Sequence, residues 1–434
     1  MNLDANLDRE LASDVPAWQP GGLVWGVLLL AAIARVSVLW GWSDNLSDDR
    51  DVYLAIAEGV AEGRGYSVHG TNIPTAFRPP LYPVMLAVTG TSRSPFGRAL
   101  LHLVLGVGTV WLTVVIACRF GLSRRLALFA GAIVAVDPLL LRYTTFPMTE
   151  TLATFLATAL LGCLTMPSSR HQQLLTGFVF GLNVLCRPTV WVFAGLMGLW
   201  WISRRLVSMR ESQPSEPLSF PWLTMAAGLL TVLPWVVRNT IVMGHPILMT
   251  THGGYTLLLG NNPRFYEEVV NQPWGTVWDG SHGAGQEVWV EEVNRQMDEA
   301  GVTGEVDRDR WLGQRARETM QEQPGMFVRA CLLRLRRFWS LAPQGEAGAA
   351  IPSQLRLPVI TFYGGIFLLA AVGLIRIFIP RPSCFQLTQW LPVVLLIATF
   401  VSVHLVYWSN ARMRSPVVPA IALLAARSVS RRRE

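Results

Sequence analysis

Lysine is absent from this chain: all 36 of its basic residues are arginine. That absence excludes a lysine Schiff base, a lysine nucleophile and the lysine of a phosphate-binding P-loop. Charge of either sign is also scarce. Asp, Glu, Lys and Arg together make up 15% of the 434 residues, against roughly 25% in a soluble domain. With 51% hydrophobic residues and a mean hydropathy of +0.36, this excludes a soluble globular enzyme and equally a disordered or collagen-like chain. The five cysteines (Cys118, Cys163, Cys186, Cys331 and Cys384) form no CxxC and no zinc spacing. They read as small buried hydrophobes, not as a disulfide framework. His245, His252, His282 and His404 form no HxxxH or HxH, so no zinc site is expected. No internal repeat and no low-complexity tract is visible.

What is present is a series of long apolar runs. A bilayer core of roughly 30 Å needs about 20 apolar residues in a helix. Runs that meet or approach this are 23–42, 99–117, 126–141, 149–165, 174–185, 189–202, 223–242, 359–378, 391–407 and 416–426. The expectation is an all-α polytopic membrane protein of about ten spans. The stretch 174–202 reads as two short helices turning at Arg187-Pro188, or as one long kinked helix; two are preferred because Arg-Pro breaks a helix. Residues 1–20 are polar and acidic and lack the basic start of a signal peptide, and no cleavage site follows the run 21–42, which is therefore expected to be an anchor.

Arginine placement orients the bundle. With the N-terminus inside, the short inner loops hold Arg119, Arg124, Arg125, Arg170, Arg204, Arg205, Arg210, Arg376 and Arg381, and the tail adds Arg427, Arg431, Arg432 and Arg433. Two long loops, 43–98 and 244–356, then face outward. The implied organisation is a membrane module over 1–243, an outer domain over 244–356 between helices seven and eight, and terminal helices with a cytoplasmic basic tail over 357–434. The first long loop should carry short amphipathic helices. In the second, 286–323 is charged and helix-compatible, and 327–341 is amphipathic enough to lie on a membrane surface. Trp40, Trp42, Trp200, Trp201, Trp222 and Trp408 sit at span ends, as an aromatic belt would.

Charge near membrane depth is costly and marks candidate sites. The first long loop opens Ser47-Asp48-Asp49-Arg50-Asp51-Val52-Tyr53 and continues through Gly63-Arg64-Gly65 to Arg78-Pro79-Pro80. Pro147-Met148-Thr149-Glu150 starts the fourth span, and Arg187-Pro188 and Arg238-Asn239 close the fifth and seventh. Gly260-Asn261-Asn262-Pro263 follows, and Arg412-Met413-Arg414-Ser415-Pro416 precedes the last span. The bland alternatives are a solvated helix cap for the aspartates and headgroup snorkelling for the arginines. Arg35, late in the first span, could snorkel or join the site. Asp48 with Asp51 could hold Mg²⁺ or Mn²⁺, but acids so close in sequence are more often a polar cap. Gly63-Arg64-Gly65 reads as a turn.

In this order the motifs resemble the GT-C glycosyltransferases, in particular the bacterial branch related to protein O-mannosyltransferases and the lipid A aminoarabinose transferase. Asp49 four residues before Tyr53, a basic residue before two prolines at Arg78, a Thr-acid pair at Thr149-Glu150 and the Arg-x-Arg-x-Pro element at Arg412 carry the resemblance. It implies transfer of a sugar from a polyprenyl-phosphate donor to a lipid, glycan or protein acceptor on the periplasmic face of the bacterial inner membrane, with both termini cytoplasmic. A phosphate leaves without being protonated, so the reaction needs a base for the acceptor hydroxyl and fixed cations for the leaving charge. The base is then Asp49 or its neighbour Asp48, and a single displacement inverts the anomeric centre. Arg78, Arg187, Arg238, Arg412 and Arg414 form the pool from which two or three should hold the donor phosphate. Glu150, Tyr53 and Asn261 are candidates for orienting acceptor and sugar. The net charge of +7 then reads as membrane orientation plus a phosphate-binding face, with no nucleic-acid partner. Rival readings are a transporter or flippase of lipid-linked sugars, a polymerase or ligase of surface polysaccharide, and a membrane scaffold; the absence of a repeat and the acids at the outer edge favour the transferase.

Overall fold

The computed structural model describes residues 22–208, 220–344, 348, 351–379 and 384–430. Arg210, Arg381, Arg431, Arg432 and Arg433 lie outside them. All ten apolar runs are helical. In chain order the first membrane module contains α1 (Gly22–Gly41), α2 (Tyr53–Ala61), α3 (Leu81–Val88), α4 (Pro95–Arg119) and α5 (Arg124–Val136). It continues with α6 (Pro138–Thr144), α7 (Glu150–Leu164), α8 (Arg170–Cys186), α9 (Trp191–Ser208) and α10 (Trp222–Met243). The second long loop holds α11 (Gly253–Gly260), α12 (Gly285–Glu299), α13 (Glu305–Glu322) and α14 (Pro324–Phe338). The chain then runs through α15 (Ser353–Phe378), α16 (Cys384–Val406) and, after a 3₁₀ turn at Ala411–Val417, α17 (Val418–Val429).

Six of these helices are long and apolar enough to cross a membrane, and a seventh span is reached if α5 and α6, bent by 49°, count as one. The remaining runs are shorter. The 15 residues of α7 rise only about 22 Å at 1.5 Å each. The stretch 174–202 is two helices: Arg187 is extended (φ −145°, ψ 109°), and Pro188–Val190 forms a 3₁₀ turn between α8 and α9. The 126–141 run is broken at Asp137-Pro138. The proline cannot donate, and Asp137 Oδ1 accepts the N–H groups of Leu139 and Leu140 at 2.9 Å to start α6. Arg35 explains itself here. It is 1% exposed, and its guanidinium donates to the Ala135 and Val134 carbonyls (3.2 and 3.4 Å), the acceptors that the break at Asp137 strands. It does not snorkel, and it shares the lining of a small cavity with Glu150.

Helix packing depends on small residues. Gly177 and Gly181, one turn apart on α8, face Gly228 and Thr224 of α10. A Cβ on Gly177 would stand 2.2 Å from the Thr224 carbonyl oxygen. This is the close approach that a G-x-x-x-G pair permits between spans. α1 buries Val24, Ala31, Arg35 and Leu39 at helical spacing and turns Leu29, Ile33 and Trp40 outward, as a helix against lipid should. α17 is the opposite case, buried on every side from Val418 to Ala426. Gly373 of α15 lies against its Leu424 carbonyl with no room for a side chain. Trp40 and Trp222 are exposed at helix ends, whereas Trp408 packs into a separate core of the second long loop with Phe265, Trp278 and Leu258. The α14 helix buries Ala330, Arg334 and Phe338 and exposes Val328 and Leu332.

The two long loops pack on each other. Glu305 at the start of α13 accepts from the Thr75 hydroxyl (2.6 Å), the Ala76 N–H (2.8 Å) and the Thr251 hydroxyl. At the other end of the bundle Arg119 donates to the Gly162 carbonyl and Arg376 to Ser430, so the short-loop arginines lie opposite the long loops.

A charged cluster at the long-loop end

The turn that leads into α2 is tight. Val52 has φ 56° and ψ 22°, the one non-glycine residue with positive φ among the described residues. A β-branched residue in the left-handed region is strained, and such strain is retained where it serves a site. Around it the three aspartates separate. Asp48 pairs with Arg50 at 2.6 Å and is partly exposed. Asp49 accepts the N–H groups of Leu54 (3.0 Å) and Ala55 (2.9 Å) and so fixes the first turn of α2. Asp51 turns inward and meets two arginines, Arg78 at 2.9 Å and Arg412 at 3.0 Å. The Asp51 carbonyl also accepts from Arg78 Nε at 2.9 Å.

The second half of the cluster comes from the helix starts and ends expected at this face. Glu150, first residue of α7 and 1% exposed, meets Arg187 Nη2 at 2.5 Å and Arg412 Nε at 3.2 Å. The second contact is ionic only, because Arg412 Nε makes no hydrogen bond in that orientation. Arg187 also donates to the Thr149 hydroxyl at 3.2 Å. The break at Arg187-Pro188 is what frees this side chain from α8. Arg412 thus bridges Asp51 and Glu150, and Arg78 and Arg187 close the two sides. Glu150 Oε2 is buried with no hydrogen-bond partner among the described residues, a condition that costs about 1–3 kcal/mol unless a ligand relieves it.

Tyr53 lies beneath Arg78, 5.5 Å from ring to guanidinium, and burial raises its hydroxyl to about 12. His252, one of the dispersed histidines, enters from the second long loop. Its Nε2 stands 3.2 Å from Arg78 Nη1, and its ring lies against Phe77 and Tyr255. Burial, with Arg78 beside it, lowers its pKa to about 3, so the ring is neutral and accepts from the guanidinium. Burial alone would raise the Asp51 carboxyl, but Arg412 and Arg78 outweigh it and hold the group below 3.8. Burial likewise opposes the charge on Arg412, and Glu150 and Asp51 more than restore it. Three guanidiniums against two carboxylates leave one positive charge in the cluster.

Two of the five candidate arginines lie elsewhere. Arg238 donates to the Tyr66 and Thr75 carbonyls (2.6 and 2.7 Å) and packs on Trp235. Arg414 is 1% exposed, donates to the Phe338 and Ser340 carbonyls and covers Tyr363 at 4.2 Å. Both tie loops to the bundle. Asn261 is also away from the cluster. Its amide nitrogen donates to Leu257 and Val406, and its oxygen accepts from Arg334 and Tyr266, which exhausts the group. A divalent cation does not fit Asp48 and Asp51: one faces Arg50 and the other is neutralised by two guanidiniums, and no group of three His, Cys, Asp or Glu residues converges among the described residues.

No family model and no curated protein sequence matches the chain. Among solved structures it is similar to the oligosaccharyltransferase AglB from Archaeoglobus fulgidus in complex with an inhibitory peptide and a dolichol-phosphate (TM-score 0.51, 12% identity, 93% of this chain and 50% of that one). The apo form of the Archaeoglobus fulgidus oligosaccharyltransferase gives a TM-score of 0.50 at 14% identity over 93% of this chain and 50% of that one. ArnT from Cupriavidus metallidurans bound to undecaprenyl phosphate gives 0.42 at 13% identity over 94% and 78%. The chain spans about half the length of the archaeal enzyme it matches. The likeness to that enzyme shows the GT-C fold in this chain.

Proposed function

We propose that the chain is a membrane glycosyltransferase that moves a sugar from a polyprenyl-phosphate carrier to a hydroxyl acceptor, with inversion. The observation that carries the reading is the convergence of Arg78, Arg187 and Arg412 from three separate stretches of chain on the carboxylates of Asp51 and Glu150. A guanidinium stays charged when partly buried and binds phosphate oxygens in pairs. In the proposed reaction the bond from the anomeric carbon to the carrier phosphate oxygen breaks, and its electron pair stays on that phosphate, against the arginines. The acceptor oxygen forms the new bond, and its proton passes to a carboxylate. Asp49 is assigned that role over Asp48, which is turned to Arg50. The two N–H bonds to Asp49 fix its carboxylate, and each of its oxygens keeps a second lone pair. Asp51 positions Arg78 and Arg412, and the unpartnered Glu150 Oε2 is available to an acceptor or sugar hydroxyl. The arginine-rich short loops support an orientation with both termini in the cytoplasm and the cluster on the periplasmic side of the inner membrane.

The test offers purified protein a panel of polyprenyl-phosphate sugars with candidate hydroxyl acceptors and follows release of the carrier phosphate. Asp49→Asn should abolish turnover in a protein that still folds and inserts. Arg412→Gln should lower it by at least a hundredfold, the scale of losing a charge-stabilising donor. Full turnover by Asp49→Asn moves the base elsewhere. Transport of lipid-linked sugar across vesicles with no donor consumed replaces the reading by a transporter.

A further inference from the structure

A cavity of about 150 Å³ opens between the second long loop and the strip of chain that ends at Ala411, the residue before Arg412. Its walls include the indoles of Trp278 and Trp408, with Gln286, Asn410 and Arg337 among the polar groups. Arg337 is the unusual member. Its Nη2 donates to the Thr276 carbonyl at 2.9 Å and its guanidinium lies 5.9 Å from the ring centres of Phe265 and Trp408. Its Nε is buried with no partner, and among the described residues no carboxylate lies within 4.0 Å of it. Glu268, which lies behind Trp278, is spent on that indole N–H and the backbone N–H groups of Ala284 and Gly285. Burial, with Arg334 as a like-charged neighbour, lowers Arg337 to about 10. Arg337 is thus a partly exposed cation in the cavity wall with no anion beside it, and a bound anion would pair with it.

We infer that this cavity is where the acceptor docks, and that the acceptor carries an anionic sugar. A phosphate or carboxylate oxygen sits at the Arg337 guanidinium, the sugar ring lies on the two indoles, and its hydroxyls meet Gln286 and Asn410. The word acceptor rests on the transferase reading; the binding of an anionic sugar does not. The experiment therefore omits any donor. Glucose 6-phosphate, glucuronate and glucose are titrated separately into the purified full-length protein by calorimetry. At least one of the two anionic sugars should bind tenfold or more tighter than glucose, and which of them does so tells phosphate from carboxylate. Arg337→Gln should bring it to the level of glucose, and Arg337→Lys should keep part of the preference, which separates charge from folding. Arg412→Gln should leave the preference in place. Equal affinity for all three sugars overturns the inference, as does a preference that survives Arg337→Gln or that is lost in Arg412→Gln. Failure of the transfer assay leaves these outcomes unchanged, so the two proposals stand or fall separately.

Discussion

At the scale of single residues, the cluster is set by which charges are buried and which are neutralised. His252 is the sensitive one. Its folded pKa of about 3 lies below the ordinary 6.5, so between those values the unfolded chain binds a proton that the folded ring does not. Stability contributed by the neutral ring is therefore fully present above 6.5 and falls as pH drops toward 3. His252→Gln should flatten that part of the acid dependence, seen as a smaller loss of thermal stability between pH 6.5 and pH 4; an unchanged slope would assign the acid sensitivity to other groups. Asp51, held below its ordinary value, adds a loss of the same sign only at the acid end of that range, where the unfolded carboxyl begins to bind protons. The sequence made Arg78, Arg187, Arg412 and Glu150 legible because arginines and acids at span ends are rare and costly. It did not make Asp51 or His252 legible. Both depend on a distant partner, and neither the left-handed turn at Val52 nor the contact between the loops has a local sequence signal.

At the scale of helices, close approach sets the geometry. Gly177→Ala sets two effects against each other. Alanine gains about 1 kcal/mol of helix propensity over glycine. Its Cβ would meet the Thr224 carbonyl oxygen at 2.2 Å, a backbone atom that cannot rotate away. Overpacking of this kind costs roughly 1–3 kcal/mol, so the variant should be destabilised despite its better propensity, as read by unfolding in detergent. An unchanged midpoint would show that α8 and α10 can separate without loss. The helices themselves followed from hydrophobic run length. The turn at Arg187-Pro188 followed from proline, whereas the break at Asp137-Pro138 divides a run, 126–141, that reads as one span. What run length left unsaid was burial: 416–426 reads like any other span, and only packing shows that α17 faces protein on all sides.

At the scale of the whole molecule, the two long loops act on the cluster as a unit, because Arg78 comes from the first and His252 from the second. Glu305 holds them together through Thr75, Ala76 and Thr251. Glu305→Ala should leave insertion of the spans unchanged, increase proteolytic cleavage of 43–98 and lower transfer by roughly tenfold through misplacement of Arg78. Equal protease resistance would show that other contacts couple the loops. Sequence reasoning placed both loops on one side from the arginine pattern but had no means to pair them across more than 200 residues. The buried α17 and the turn before it have a consequence in time. Ribosomes deliver residues 411–429 after the other described helices. The same short stretch supplies the central helix and Arg412, the residue that joins Asp51 to Glu150. Until it arrives, the earlier helices surround an unfilled slot and the two acids lack their common cation. Completion of this core and assembly of the charged site therefore both wait on the same stretch of chain.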